Sequence, residues 1–143
     1  MRGVTAAVCA WSIGLLIGAG PASAAAQGGK GKPAAQEAAA SALKNPVKPT
    51  AESVEKGRAA FFKNCRHCHG AGGKGDGPLA PKDPPPANLT DAKWDHGASD
   101  GDIYTTILNG VGGKSEMKGY KSQLTPTDIW NIVNFLRSIG PKS

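Results

Sequence analysis

The pentapeptide Cys65-Arg66-His67-Cys68-His69 constrains this chain more than any other feature. It sits among residues poorly suited to building a core. Glycine (20) and proline (11) together exceed a fifth of the 143 residues, and aromatic residues make up only 6%. Once a leader and a tether are set aside, about 90 residues remain to fold, a size at which a core of protein alone is thin and a staple or cofactor commonly completes it. Length and composition exclude a two-domain enzyme, a polytopic membrane protein and a coiled coil.

Residues 1–24 read as a secretory signal. Arg2 is the positive region, Val4 to Gly18 the apolar stretch, Pro21 its breaker and Ala22-Ser23-Ala24 the small-residue cleavage pattern. That stretch is about 15 residues long, short of the ~20 needed to span a bilayer. An uncleaved N-terminal anchor is the rival reading, and membrane association would then run through the leader or through a partner. Cys9 lies inside the apolar stretch and leaves with it. Two thiols remain, Cys65 and Cys68, in an exported, periplasmic and oxidising location. A disulfide between them would close a tiny loop and stabilise little.

Residues 25–50 are rich in Ala, Gly, Lys and Pro, with Leu43 and Val47 as the only large apolar side chains, and read as a flexible linker. The folded domain is expected over 51–143. It holds twelve Lys/Arg against ten Asp/Glu, a net of +2 within the chain's formal +6. Nucleic acid is therefore not the expected partner.

Two cysteines three apart at a helix end can add to the vinyl groups along one side of a haem, and a histidine directly after the second can reach the iron. This is the c-type attachment pattern. A structural zinc site would need four ligands, usually as two pairs, and no second cysteine pair exists. A thioredoxin-like redox pair would follow a strand in a βαβ unit, which this chain lacks. His67, between the cysteines, is expected to face solvent. For the opposite face of the iron the candidate is Met117, the one methionine left after processing, in a Gly/Lys-rich loop with no apolar neighbours. His96 is the alternative, and an open sixth position the third. Methionine ligation raises the reduction potential.

Three main helices are expected. The first runs from about Ala51 to Asn64 behind Thr50, with Val54, Gly57 and Phe61 on one face. The second runs from Asp100 to Asn109, with Ser99 and Asp102 as a capping box and Gly110 as its stop. The third runs from Pro126 to about Ser138, with Thr125 as N-cap and Ile129, Ile132, Val133 and Leu136 at helical spacing. No segment alternates as a strand. The long Gly/Pro-rich centre, 70–88, makes sense if it packs against a ligand.

Gly57-x3-Phe61-x3-Cys65-x2-Cys68-His69, the lone Met117 loop and an aromatic C-terminal helix together resemble the class I monohaem cytochromes c of bacterial periplasmic type, over about 90 residues. The resemblance implies an all-α, small single-domain cytochrome c fold: three main helices and long loops around one covalently attached haem. It implies that the first and last helices cross at Gly57 or Phe61 against Phe135. It also implies that Pro78 offers its carbonyl to His69, and that Trp94 serves a haem propionate. Pro84-Pro85-Pro86 is expected to be a stiff loop. The iron, held by His69 and Met117, would leave no place for substrate. The expected function is a periplasmic one-electron carrier, not an enzyme, exchanging electrons with redox proteins that Lys114, Lys118 and Lys121 would attract if acidic. Two alternatives stay open: a dedicated haem subunit of a larger oxidoreductase, and a haem-based gas-binding or sensor module.

Overall fold

The capping signals start the helices where the sequence places them. In the computed structural model, which describes residues 34–141, Thr50 Oγ1 accepts the Ser53 N–H and opens α2, Ala51–Asn64. Ser99 and Asp102 exchange side chain-to-backbone bonds at 3.1 Å each, a complete capping box at the head of α4, Asp100–Asn109. Thr125 and Asp128 do the same, with Pro126 in the first turn, for α5, Pro126–Ile139. A single turn, α3, Arg66–His69, follows α2 directly. A fifth helix, α1, Ala34–Ala42, precedes them. Among the described residues the chain is all-α, with one isolated bridge, Gly110 to Lys118, in place of a sheet. The leader expected over 1–24, Cys9 and the first part of the linker lie outside these residues. Among the described residues no helix is long and apolar enough to cross a membrane.

Helices α2 and α5 cross at Gly57. A Cβ there would stand 1.9 Å from the Asn131 carbonyl oxygen and 2.9 Å from Phe135 Cβ, so only glycine lets the two backbones meet this closely. One turn on, Phe61 packs on Phe135 with ring centroids 5.2 Å apart. The apolar face of α5 (Ile129, Ile132, Val133, Leu136) closes against Phe61 and against Ile103 and Ile107 of α4. Tyr104 of α4 stacks on Trp130 at 4.1 Å. Arg137 Nε donates to Asp100 Oδ1 at 2.8 Å and ties the end of α5 to the start of α4.

Within the segment read as a linker, Ala34–Ala42 form a helix. Helix α1 lies on α4 with Ala40 buried, and Gly101 lacks the Cβ that would strike the Ala40 carbonyl at 1.9 Å. Ser41 Oγ donates to Asp102 Oδ1 at 2.8 Å. Asn45 Nδ2 donates to Asn134 Oδ1 at 2.8 Å and to the Trp130 carbonyl at 3.3 Å. Asn134 Nδ2 in turn donates to Ser53 Oγ (2.7 Å) and the Val47 carbonyl (3.0 Å), and Ser53 Oγ donates to Asn131 Oδ1 at 2.8 Å. A nine-residue helix is marginal alone. This one is held by a close backbone approach and side-chain hydrogen bonds rather than by an apolar stripe.

Candidate cofactor site

Helix α2 ends at Cys65, whose N–H still bonds the Phe61 carbonyl at 2.8 Å. The chain then makes the turn of α3, with the N–H groups of Cys68 and His69 both directed at the Cys65 carbonyl. Residues three and four apart share a face of such a turn, which sends Cys65, Cys68 and His69 to one wall. All three line a cavity of about 420 Å³, a volume typical of small-molecule and cofactor pockets. Phe61, Ile103, Ile107, Ile132 and Leu136 form its apolar floor. Met117, half-buried on the loop after α4, lines the same cavity. His67 faces solvent, as expected.

The loop after α3 is stapled beneath it. Gly75 N–H donates to the His69 carbonyl at 2.8 Å, Gly77 N–H to Cys68 at 3.0 Å and Leu79 N–H to His67 at 2.7 Å. The chain then returns along Pro84-Pro85-Pro86, and the Ala87 carbonyl lies 3.2 Å from His69 Nδ1. This corrects the expectation for Pro78. Pro78 sits exposed in the stapled part of the loop and is not part of the cavity wall, and the carbonyl beside His69 Nδ1 is that of Ala87. Gly75 makes the return possible, because a Cβ at its φ of +80° would stand 2.4 Å from the Pro86 carbonyl oxygen. Trp94 is the residue expected at a haem propionate. Its ring lines the cavity, but its Nε1–H donates to the Asp91 carbonyl at 3.1 Å, so that donor is engaged within its own turn. His96, the alternative ligand, lines the cavity from an exposed position. Tyr120 and Ala87 were not singled out from sequence. An aromatic residue three positions past Met117 was the available signal for the first, and none existed for the second.

The chemistry of the donors selects among occupants. Burial, with the neighbouring Cys68 adding to it, pushes the Cys65 thiol up to about 12. A pocket so hostile to thiolate suits a neutral sulfur such as a thioether. Burial lowers His69 below the usual imidazole value, while the Ala87 carbonyl works the other way. A neutral ring that donates through Nδ1–H keeps its Nε2 lone pair free for a metal. Among the described residues no group of three or more His, Cys, Asp or Glu could hold a bare metal ion. A covalently attached haem fits what is present: two neutral sulfurs and an oriented imidazole on one wall, apolar residues beneath and a thioether on a facing loop.

These features define a c-type cytochrome domain whose cofactor is covalent haem c. The chain belongs to the family described as cytochrome C oxidase, cbb3-type, subunit III, whose profile matches residues 52–136. It is 36% identical over 88 residues to the cbb3-type cytochrome c oxidase subunit FixP of Azorhizobium caulinodans, covering 62% of this chain and 28% of that one. This chain thus spans under a third of the length of such relatives. Two solved structures share the fold. One belongs to the Kuenenia stuttgartiensis reducing HAO-like protein complex Kustc0457/Kustc0458, with a TM-score of 0.60 and 25% identity over 69% of this chain and 50% of that one. The other is cytochrome CL of Methylophaga aminisulfidivorans, with a TM-score of 0.53 and 26% identity over 68% of this chain and 58% of that one.

Proposed function

We propose that this chain is a periplasmic one-electron carrier in which His69 and Met117 would hold the iron of its haem. The observation that carries this reading is the cavity itself, which gathers Cys65, Cys68, His69 and Met117 around an apolar interior. When bound, the haem supplies reversible one-electron exchange at its iron. The chain's own residues do the rest. Cys65 and Cys68 hold the group in place, and the Ala87 carbonyl fixes the tautomer and direction of the His69 ring. Met117 would hold the iron from the facing loop and keep water and substrate from it. The walls of Phe61, Ile103, Ile107 and Leu136 keep the surroundings dry, which with the thioether favours a high potential.

The relatives carry names of oxidase subunits, and this supports a second reading in which the domain serves a larger oxidoreductase rather than diffusing freely. Stable co-purification with a redox partner distinguishes the two. The ligand assignment is tested by Met117→Ala. The reduced wild-type protein should resist carbon monoxide, whereas the variant binds it readily and has a lower potential. A variant with an unaltered spectrum and no carbon monoxide binding refutes the role given to Met117. Rapid, tight binding by the wild type would instead favour the gas-binding alternative.

A further inference from the structure

Tyr120 stands outside the ligand set, yet it touches both sides of the cavity. Its hydroxyl donates at 2.8 Å to the carbonyl of Asn64, the residue immediately before Cys65. Its N–H donates to the Ile107 carbonyl at 3.0 Å, and its own carbonyl accepts the N–H groups of Gln123 and Leu124 at 2.9 Å each. Its ring lines the cavity and packs on the core. Burial raises the phenol above its ordinary value, and the hydroxyl is a donor at neutral pH.

The loop that carries Met117 has two unlike halves. Residues 117–121 are pinned to the end of α4. Val111 N–H donates to the Met117 carbonyl and Lys121 N–H to Leu108, both at 3.2 Å. Gly119 lies so close that a Cβ there would be 2.6 Å from the Asn109 carbonyl carbon and from the Leu108 carbonyl oxygen. Residues 112–116 are open by comparison. Gly112 and Gly113 adopt φ of +76° and +65°, and a Cβ on either would meet nothing within 4 Å. Met117 sits where the open half joins the pinned half.

We propose that Tyr120 is a positioning residue for Met117: its phenol ties the methionine loop to the turn that bears the thiol pair, and so sets how readily Met117 yields its place to an external ligand. This rests on the assignment of Met117 as axial ligand. Lifting residues 117–121 breaks the hydroxyl bond to Asn64, so that bond opposes release.

The test is imidazole titration of the ferric holoprotein, comparing wild type with Tyr120→Phe, which keeps the ring and removes one hydroxyl. Losing one net hydrogen bond raises the open population about three- to tenfold. Apparent imidazole affinity scales with that population and should tighten by the same factor. The absorption spectrum without imidazole should stay that of the wild type. Unchanged affinity overturns the proposal, whatever happens to the melting temperature. Ile129→Val, a core change away from the cavity, lowers stability by a comparable amount and should leave the affinity alone. Equal tightening in both variants would make Tyr120 a general stabiliser and overturn the proposal too. Met117→Ala separates the two layers. If its spectrum and imidazole affinity match the wild type, the ligand assignment has failed and takes the proposal with it. If Met117→Ala opens the site while Tyr120→Phe changes nothing, only the proposal about Tyr120 fails.

Discussion

Replacing Gly57 with alanine should destabilise the fold, although alanine is the better helix former. The new Cβ would lie 1.9 Å from the Asn131 carbonyl oxygen, 2.5 Å from its carbon and 2.9 Å from Phe135 Cβ. Ordinary contact begins near 3.4 Å, so α2 and α5 must part by roughly 1.5 Å at the crossing. The obstacle is α5 backbone, which cannot rotate away as a side-chain tip can. Overpacking of this kind costs ~1–3 kcal/mol. Parting the helices also strains the Ser53–Asn131 and Ser53–Asn134 hydrogen bonds beside the crossing, each worth ~1 kcal/mol net. Against this, alanine over glycine in a helix returns ~1 kcal/mol. The balance is about 2–4 kcal/mol of lost stability, or a melting temperature lower by roughly 10–30 °C for a domain of this size. Thermal unfolding of the holoprotein by far-ultraviolet circular dichroism measures it. Ala59→Gly, on the exposed face of the same helix, reads the propensity term alone and should cost ~1 kcal/mol. A Gly57→Ala protein that melts at or above the wild-type temperature would show that propensity outweighs the close approach, and the reasoning about the crossing would be wrong.

Asn134→Ala removes the hub that joins Asn45, Ser53 and the Val47 carbonyl, and leaving those groups unpaired should cost ~1–3 kcal/mol in denaturant unfolding. A reduction potential that moved with it would argue against a purely structural network. Pro86→Gly should slacken the segment that presents the Ala87 carbonyl to His69, leaving the imidazole less electron-rich and the potential higher by voltammetry; an unchanged potential would mean that this carbonyl does not tune the ring. Lys114, Lys118 and Lys121 are all exposed around the methionine loop. If they steer an acidic partner, electron-transfer rates should fall steeply with added salt, and a flat dependence removes that role.

The parts of the molecule that were legible in sequence are those whose causes are local. Ser99 with Asp102, and Thr125-Pro126 with Asp128, state their helix starts within four residues, and the structure forms both boxes. The i, i+3, i+4 spacing of Cys65, Cys68 and His69 needs only one helical turn to bring them to one wall. Other features depend on distant chain segments. Which carbonyl faces His69 is decided by how the chain re-approaches after Leu79, and that turns on the bare Cα of Gly75 beneath Pro86, which no periodicity reports. The indole of Trp94 bonded its own turn, an outcome as compatible with the sequence as the propionate. A helix over Ala34 to Leu43 is readable in the sequence only as transient, because what holds α1 in place is its docking through Ala40, Gly101 and polar side chains, which leaves no apolar stripe to read.

The thirty residues between α3 and α4 hold no regular structure, yet they are shaped by the attachment turn. Backbone bonds from Gly75, Gly77 and Leu79 run to the carbonyls of His69, Cys68 and His67, and Leu89 N–H closes on Gly73. The same segment supplies the Ala87 carbonyl and one side of the cavity. The remaining walls come from α2, α3, α4, α5 and the methionine loop, so the cavity stands where the centre of the core would be. At ~24 cal/mol per Å³, an unfilled and dry void of that size would cost on the order of 10 kcal/mol. That is an upper bound, since the exposed rim at His96 and Lys114 admits water, yet it matches the whole ~5–15 kcal/mol stability of an ordinary domain. The haem is therefore the centre of the core as well as the redox group. A chain this short, with so few aromatic residues, can afford its long glycine- and proline-rich loop because that loop packs against the cofactor.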